Sequence, residues 1–174
     1  MHLTLRARQE VASLRAPRVF QAVRESIRCA SREAFRILHF SVQRDHVHLI
    51  VEAQDTRTLS TGAQGLAVRM ARGVNGALGR TGSVWGDRYH ARDLTSPRET
   101  RHALVYVLMN LKKHHPHDRR PIDPCSSAPW FDGFRTSQPL SSSPPPVWRP
   151  GTWLARTGWR QHGLIDPNES PKPS

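Results

Sequence analysis

Phe35-Arg36-Ile37-Leu38-His39-Phe40-Ser41-Val42, then Gln43-Arg44-Asp45, then His46-Val47-His48-Leu49-Ile50-Val51-Glu52-Ala53 is the stretch that decides the fold. Two runs rich in β-branched and aromatic residues flank a three-residue polar break, so the spacing predicts a β-hairpin. On the second arm, Val47, Leu49 and Val51 alternate with His46, His48 and Ile50. Side chains two apart on a strand share a face, so the three aliphatic residues turn toward a core and the two imidazoles turn away from it.

Upstream, His2-Leu3-Thr4-Leu5-Arg6 alternates in the same way and reads as a first strand. Pro17 suits a first helical turn, and Phe20, Val23, Ile27 and Ala30 recur at three and four residues, which predicts an amphipathic helix. Downstream, Leu66, Met70, Val74 and Ala77 predict a second helix over about 60–78. Gly62, Gly65, Gly73 and Gly76 oppose it by up to about 1 kcal/mol each relative to alanine. The segment 82–94 reads as a glycine-marked turn entering a short strand. Ser96, Pro97 and Glu99 form a helix start, with an N-cap, a first-turn proline and a capping-box glutamate, and the last helix is expected to run from Arg98 to about Lys113. The order strand, helix, strand, strand, helix, strand, helix predicts an α+β domain: an antiparallel sheet with helices on one face and the other face open.

Eleven of the 14 prolines lie at or beyond Pro121, and four of the five tryptophans (Trp130, Trp148, Trp153, Trp159) lie there too. Residues 1–115 are therefore read as the working domain and 116–174 as a Pro/Ser/Trp-rich tail, partly docked or flexible.

Lys and Arg number 26 against 14 Asp and Glu, a formal charge of +12, which points to a polyanionic partner. Two cysteines without CxxC spacing argue against a disulfide framework or a cysteine zinc site, and no run is apolar enough to span a bilayer. A cytoplasmic protein is the expectation.

His46 and His48 are spaced to converge on one divalent ion, although solvent-facing, hydrogen-bonded histidines fit the same triplet. His102, Tyr106, Asn110 and Lys113 follow at i, i+4, i+8 and i+11 and line one helical stripe. Two imidazoles and the Asn110 amide oxygen form a mixed nitrogen and oxygen set compatible with Mg²⁺ or Mn²⁺. Tyr106 is the candidate nucleophile toward a phosphodiester, with His102 one turn earlier as its assistant. The other tyrosine, Tyr89, stands beside Trp85 and is read as sheet packing or a base-stacking surface. Arg69, Arg72, Arg88 and Arg92 are candidate phosphate contacts, and Glu52 either tunes the site or simply ends its strand.

Taken together, His2 to Arg6, His39 to Glu52, Trp85-Gly86-Asp87-Arg88-Tyr89-His90 and Tyr106-Val107-Leu108-Met109-Asn110 resemble the REP-associated branch of the single-tyrosine HUH transposase family. That resemblance implies a ferredoxin-like palm, a divalent metal on His46 and His48, and completion of the metal site by Asn110. It also implies attack by Tyr106 on single-stranded DNA to leave a 5′-phosphotyrosine and a free 3′-hydroxyl, near short imperfect hairpins. Three functions stay open: a nicking and strand-transfer enzyme, a catalytically inactive single-stranded nucleic-acid-binding module, or a phosphoesterase using water. Monomer and homodimer are equally compatible.

Overall fold

The computed structural model describes residues 1–111, 120, 122–136 and 141–171. Its elements are β1 (His2–Arg6), α1 (Pro17–Ala30), β2 (Phe35–Val42), β3 (His46–Ala53), α2 (Thr56–Leu78), β4 (His90–Arg92), α3 (Pro97–Leu108) and, in the tail, α4 (Trp153–Arg156). The four strands form one antiparallel sheet in the order β2-β3-β1-β4. A central β3 beside β1, flanked by the hairpin partner on one side and the last strand on the other, is the ferredoxin-like arrangement.

Burial of one sheet face fixes that order. Leu3 and Leu5 of β1, Val47, Leu49 and Val51 of β3, and Phe35, Ile37, Phe40 and Val42 of β2 join one core with α1 and α2. The register of β2 slips between Ile37 and His39. That bulge changes the phase of the strand, so Phe35 and Ile37 before it and Phe40 and Val42 after it all reach the same core.

Helix α1 has Pro17 in its first turn and buries Val19, Val23 and Ile27. Helix α2 starts at Thr56, four residues before the position expected, because the Asp55 carboxylate accepts the Thr58 amide hydrogen at 2.6 Å and caps it. One of its glycines, Gly62, is a packing requirement, and a second, Gly73, sits at a tight approach. A Cβ on Gly62 would lie 2.5 Å from the Phe35 ring, and one on Gly73 would lie 3.2 Å from the Ala22 Cβ of α1. Close approach of α2 to the sheet and to α1 thus offsets the helix propensity lost at these positions.

Helix α3 begins as expected: the Ser96 hydroxyl accepts the Glu99 amide hydrogen, and Glu99 reaches back to the amide and hydroxyl of Thr95. Two features differ from the sequence expectation. First, α3 closes at Leu108, where Met109 leaves helical geometry at φ −104° and ψ 14°, and Asn110 and Leu111 return to it. Lys112 and Lys113 lie outside the described residues. Second, only α1 and α2 share a face, and α3 packs on the opposite one. There Leu38 and Ile50 of the sheet meet Ala103, Leu104, Val107 and Leu108, and the tail residues Phe131, Phe134, Trp159 and Ile165 close the cluster from outside.

The tail also covers the exposed edge of β2. Val42 donates its amide to Cys125, Ser127 donates to Phe40, and Trp148 donates to Ile37. A two-pronged ion pair from Arg15 to the buried Asp123 carboxylate, at 2.8 Å on each prong, ties down the start of this strap. Pairing of this kind removes the open edge that invites intermolecular β-addition. The Glu52 carboxylate accepts from the amides of Gly151 and Thr152 and from the Thr152 hydroxyl, fixing the chain just before α4. Glu52 is therefore a tail anchor.

Trp159 is 2 % exposed and Trp153 is 55 % exposed. Trp159→Ala should lower unfolding free energy by about 3–5 kcal/mol, and Trp153→Ala by less than about 0.5 kcal/mol, measured by urea denaturation. Equal losses would exclude the packing described. A second expectation concerns His39, which meets Phe131 edge-on at 5.4 Å and approaches the Ser127 hydroxyl at 3.3 Å. Burial drives its imidazole from 6.5 down to about 4, with Asp132 acting in the opposite direction. The unfolded chain then binds this proton at higher pH than the folded one. The His39 contribution to stability should therefore be intact above pH 6.5, decline toward pH 4 by at most about 3 kcal/mol, and level off below. His39→Asn should flatten that part of the urea-midpoint profile between pH 7 and 4.

Candidate active site

The face of the sheet turned away from α1 and α2 carries the polar residues. Strand register sets Thr4 opposite both His48 and His90, His2 opposite both Ile50 and Arg92, and Arg6 opposite His46. The His46 and His48 rings lie 4.7 Å apart, centre to centre, and His48 meets the Tyr106 ring edge-on at 4.9 Å. Strand β3 and helix α3, far apart in sequence, thus bring the two histidines and the tyrosine into one cluster.

Each imidazole is oriented by a different neighbour. The Nδ1 of His46 hydrogen-bonds Asp45 Oδ1 at 2.7 Å, and Arg6 approaches the other carboxylate oxygen at 3.7 Å. Burial works against ionisation of Asp45, but the hydrogen bond from His46 and the charge of Arg6 prevail and hold its carboxyl below the ordinary value. An ionised carboxylate only accepts, so His46 Nδ1 carries the hydrogen and Nε2 keeps its lone pair in the neutral ring. The Nδ1 of His48 faces β1, 3.1 Å from Thr4 Oγ1 and 3.3 Å from His2 Nε2. His2 packs against both His48 (5.3 Å) and Tyr106 (5.7 Å). Burial, joined by the positive chain terminus and Arg92, pushes its imidazole down to about 4, so it is neutral at pH 7.

Two clefts flank the histidine pair. One, of about 540 Å³, is lined by His2, Thr4, His48, Arg92, His102, Tyr106 and the tail residues Glu169 and Ser170. The other, of about 750 Å³, is lined by Arg6, Arg8, Arg44, Asp45 and His46 together with Gly86 and Asp87. His46 faces one cleft and His48 the other.

Burial deepens along the α3 stripe, from exposed His102 to half-buried Tyr106 to fully buried Asn110. Asn110 lies beyond the break at Met109 and does not line the described cleft. Its Oδ1 and Nδ2 are both buried and have no hydrogen-bond partner among the described residues. An amide in that state is suited to an additional ligand or donor role. The donor set of His46, His48 and Asn110 fits a divalent ion in its chemistry. Among the described residues no three His, Cys, Asp or Glu side chains cluster for that purpose.

The arginine candidates separate. Arg92 lines the Tyr106 cleft and lies 3.8 Å from Glu99. Arg88 and Tyr89 line a small cleft with Trp85 against α2, and Tyr89 packs on the first core. Arg69 and Arg72 are exposed on α2, across the sheet from the histidines. Sequence reasoning missed His2, Thr4, Arg6 and Asp45 as site residues. The alternation of β1 could have found the first three, since they fall on the face opposite Leu3 and Leu5.

The fold thus sets a strand-borne histidine pair against a helix-borne tyrosine on the sheet face opposite α1 and α2. The chain belongs to the IS200-like transposase family, whose model matches residues 1–107. A solved structure of a REP-associated tyrosine transposase bound to a REP hairpin is similar in fold, with a TM-score of 0.51 and 23% identity. The match covers 66% of this chain and 67% of that one. No curated protein matches. Among the described residues no helix is long and apolar enough to cross a membrane.

Proposed function

We propose that this protein is a metal-dependent single-stranded DNA endonuclease and strand transferase that acts at or near hairpins through a covalent tyrosine intermediate. The observation that carries this reading is the contact between Tyr106 and His48, 4.9 Å between ring centres, in a cleft that also holds Arg92 and His102. The REP hairpin in the similar solved structure supports hairpin DNA as the substrate class.

In the reaction, Tyr106 Oη attacks a backbone phosphorus. The Oη–P bond forms as the P–O3′ bond breaks, leaving a 5′-phosphotyrosine and a 3′-hydroxyl that takes up a proton. The phenol is a weak nucleophile at neutral pH, and to His102, one turn earlier on α3 and in the same cleft, we assign the role of receiving its proton. Mg²⁺ or Mn²⁺ held by His46, His48 and Asn110 would supply charge neutralisation at the phosphate. Arg92 beside Tyr106, and Arg6, Arg8 and Arg44 in the neighbouring cleft, would hold phosphates on either side of the scissile bond, so that the strand crosses the histidine pair. Attack of a new 3′-hydroxyl on the phosphotyrosine reverses the step and joins strands. Arg69 and Arg72, on the far layer, are assigned to duplex or nonspecific contact, and Arg88 with Tyr89 to the flank.

The break at Met109 before Asn110 favours one second reading, a single-strand-binding module without turnover. Purified protein incubated with Mn²⁺ and labelled hairpin DNA separates the two. The enzyme should form a denaturation-resistant adduct whose peptide maps to Tyr106. Tyr106→Phe should abolish the adduct while keeping DNA affinity within about twofold, and His46→Ala should lose cleavage. An adduct at Tyr89, or Mn²⁺-dependent cleavage that survives in Tyr106→Phe, would sink the tyrosine assignment. In a separate binding measurement, Arg92→Ala and Arg6→Ala should each reduce the slope of log K against log salt by about 0.7, the value for one lost contact to a single strand.

A further inference from the structure

We propose that His2, with Thr4, is the positioning pair for His48: together they hold its Nδ1 hydrogen and thereby commit Nε2 to the metal side of the cluster. The inference rests on the reading of His48 as a metal ligand. A neutral imidazole has one N–H and one lone pair, and which nitrogen holds which is set by the hydrogen bond that the other makes. For His46 this choice is made within its own turn, by the Asp45 carboxylate at 2.7 Å. At His48 the groups that meet Nδ1 come from the neighbouring strand, β1: Thr4 Oγ1 at 3.1 Å and His2 Nε2 at 3.3 Å. Both can accept the hydrogen, which they then share, and we assign Nδ1 as the donor, so that Nε2 carries the lone pair that a divalent ion requires.

His2 does a second thing that Thr4 does not. Its ring lies edge-on to Tyr106 at 5.7 Å while stacking at a tilt on His48 at 5.3 Å. It therefore packs beside the direct contact that His48 and Tyr106 make at 4.9 Å, closing a three-ring cluster that holds the two at their mutual spacing. The strand register supports a fixed geometry, because Thr4 is the cross-strand partner of His48 and His2 is the partner of Ile50, the next residue on that face.

Two measurements test this, and neither needs turnover. In metal-free protein, long-range ¹⁵N–¹H spectra of the imidazoles should show His48 as the Nδ1–H tautomer. His2→Ala combined with Thr4→Val should give a mixture of tautomers, with His46 unchanged as an internal control. By calorimetry, His2→Ala should weaken Mn²⁺ binding about 10- to 100-fold, the usual effect of losing a partner that orients a ligand. His2→Gln, whose amide oxygen can accept the same hydrogen, should recover most of it, which simple loss of packing does not predict. An Nε2–H tautomer for His48 in the wild type would overturn the proposal, as would unchanged spectra and Mn²⁺ affinity in the folded double variant. Wild-type protein with the expected tautomer but no Mn²⁺ binding would instead overturn the metal reading, leaving the orientation of His48 by β1 established.

Discussion

The pairing of β1 with β3 is the constraint on which everything else depends. Thr4 stands opposite His48, and each strand alternates strictly about that register. Leu3, Leu5, Val47, Leu49 and Val51 supply one core, while His2, Thr4, Arg6, His46 and His48 occupy the reverse side. A slip of β3 by one residue would bury its imidazoles under α1 and α2 and expose Val47, Leu49 and Val51. The free energy that stabilises the fold is therefore the same free energy that orients the histidine pair.

The second layer answers a different requirement. Helix α3 has apolar residues around most of its circumference, and it buries Ala103, Leu104, Val105, Val107 and Leu108. One sheet face cannot cover that much of a helix. The tail supplies the remaining cover through Phe131, Phe134, Trp159 and Ile165, while His102 and Tyr106 stay at the cleft. The segment whose composition suggests a linker thus contributes the outer wall of the core beneath the tyrosine helix.

Much of this was legible in the sequence because it is periodic. The β2–β3 hairpin, the histidine pair, the Ser96 cap and the placing of Tyr106 all follow from spacings within a few residues. What was not legible depends on distant partners. The orientation of His48 is decided by residues 44 and 46 positions away, and nothing local to His2 announces that role. The layer occupied by α3 was missed for a similar reason, since its cover lies beyond position 130. Gly62 read as a helix weakness until Phe35 was seen against it. Glu52, read as a tuning group or a strand end, turned out to bind the backbone about 100 residues later.

That last contact has a consequence for the order of assembly. The buried residues of the first core all lie between Leu3 and Val84, whereas the cluster around α3 closes only with Trp159 and Ile165. Contacts across such long separations form late, after the local hairpin and helices. During synthesis, the ferredoxin-like sheet can be complete while α3 still lacks its outer partners. The tyrosine helix then reaches its final packing only when residue 165 becomes available, so a ribosome stalled in the tail would carry a folded palm with Tyr106 on an unfinished layer.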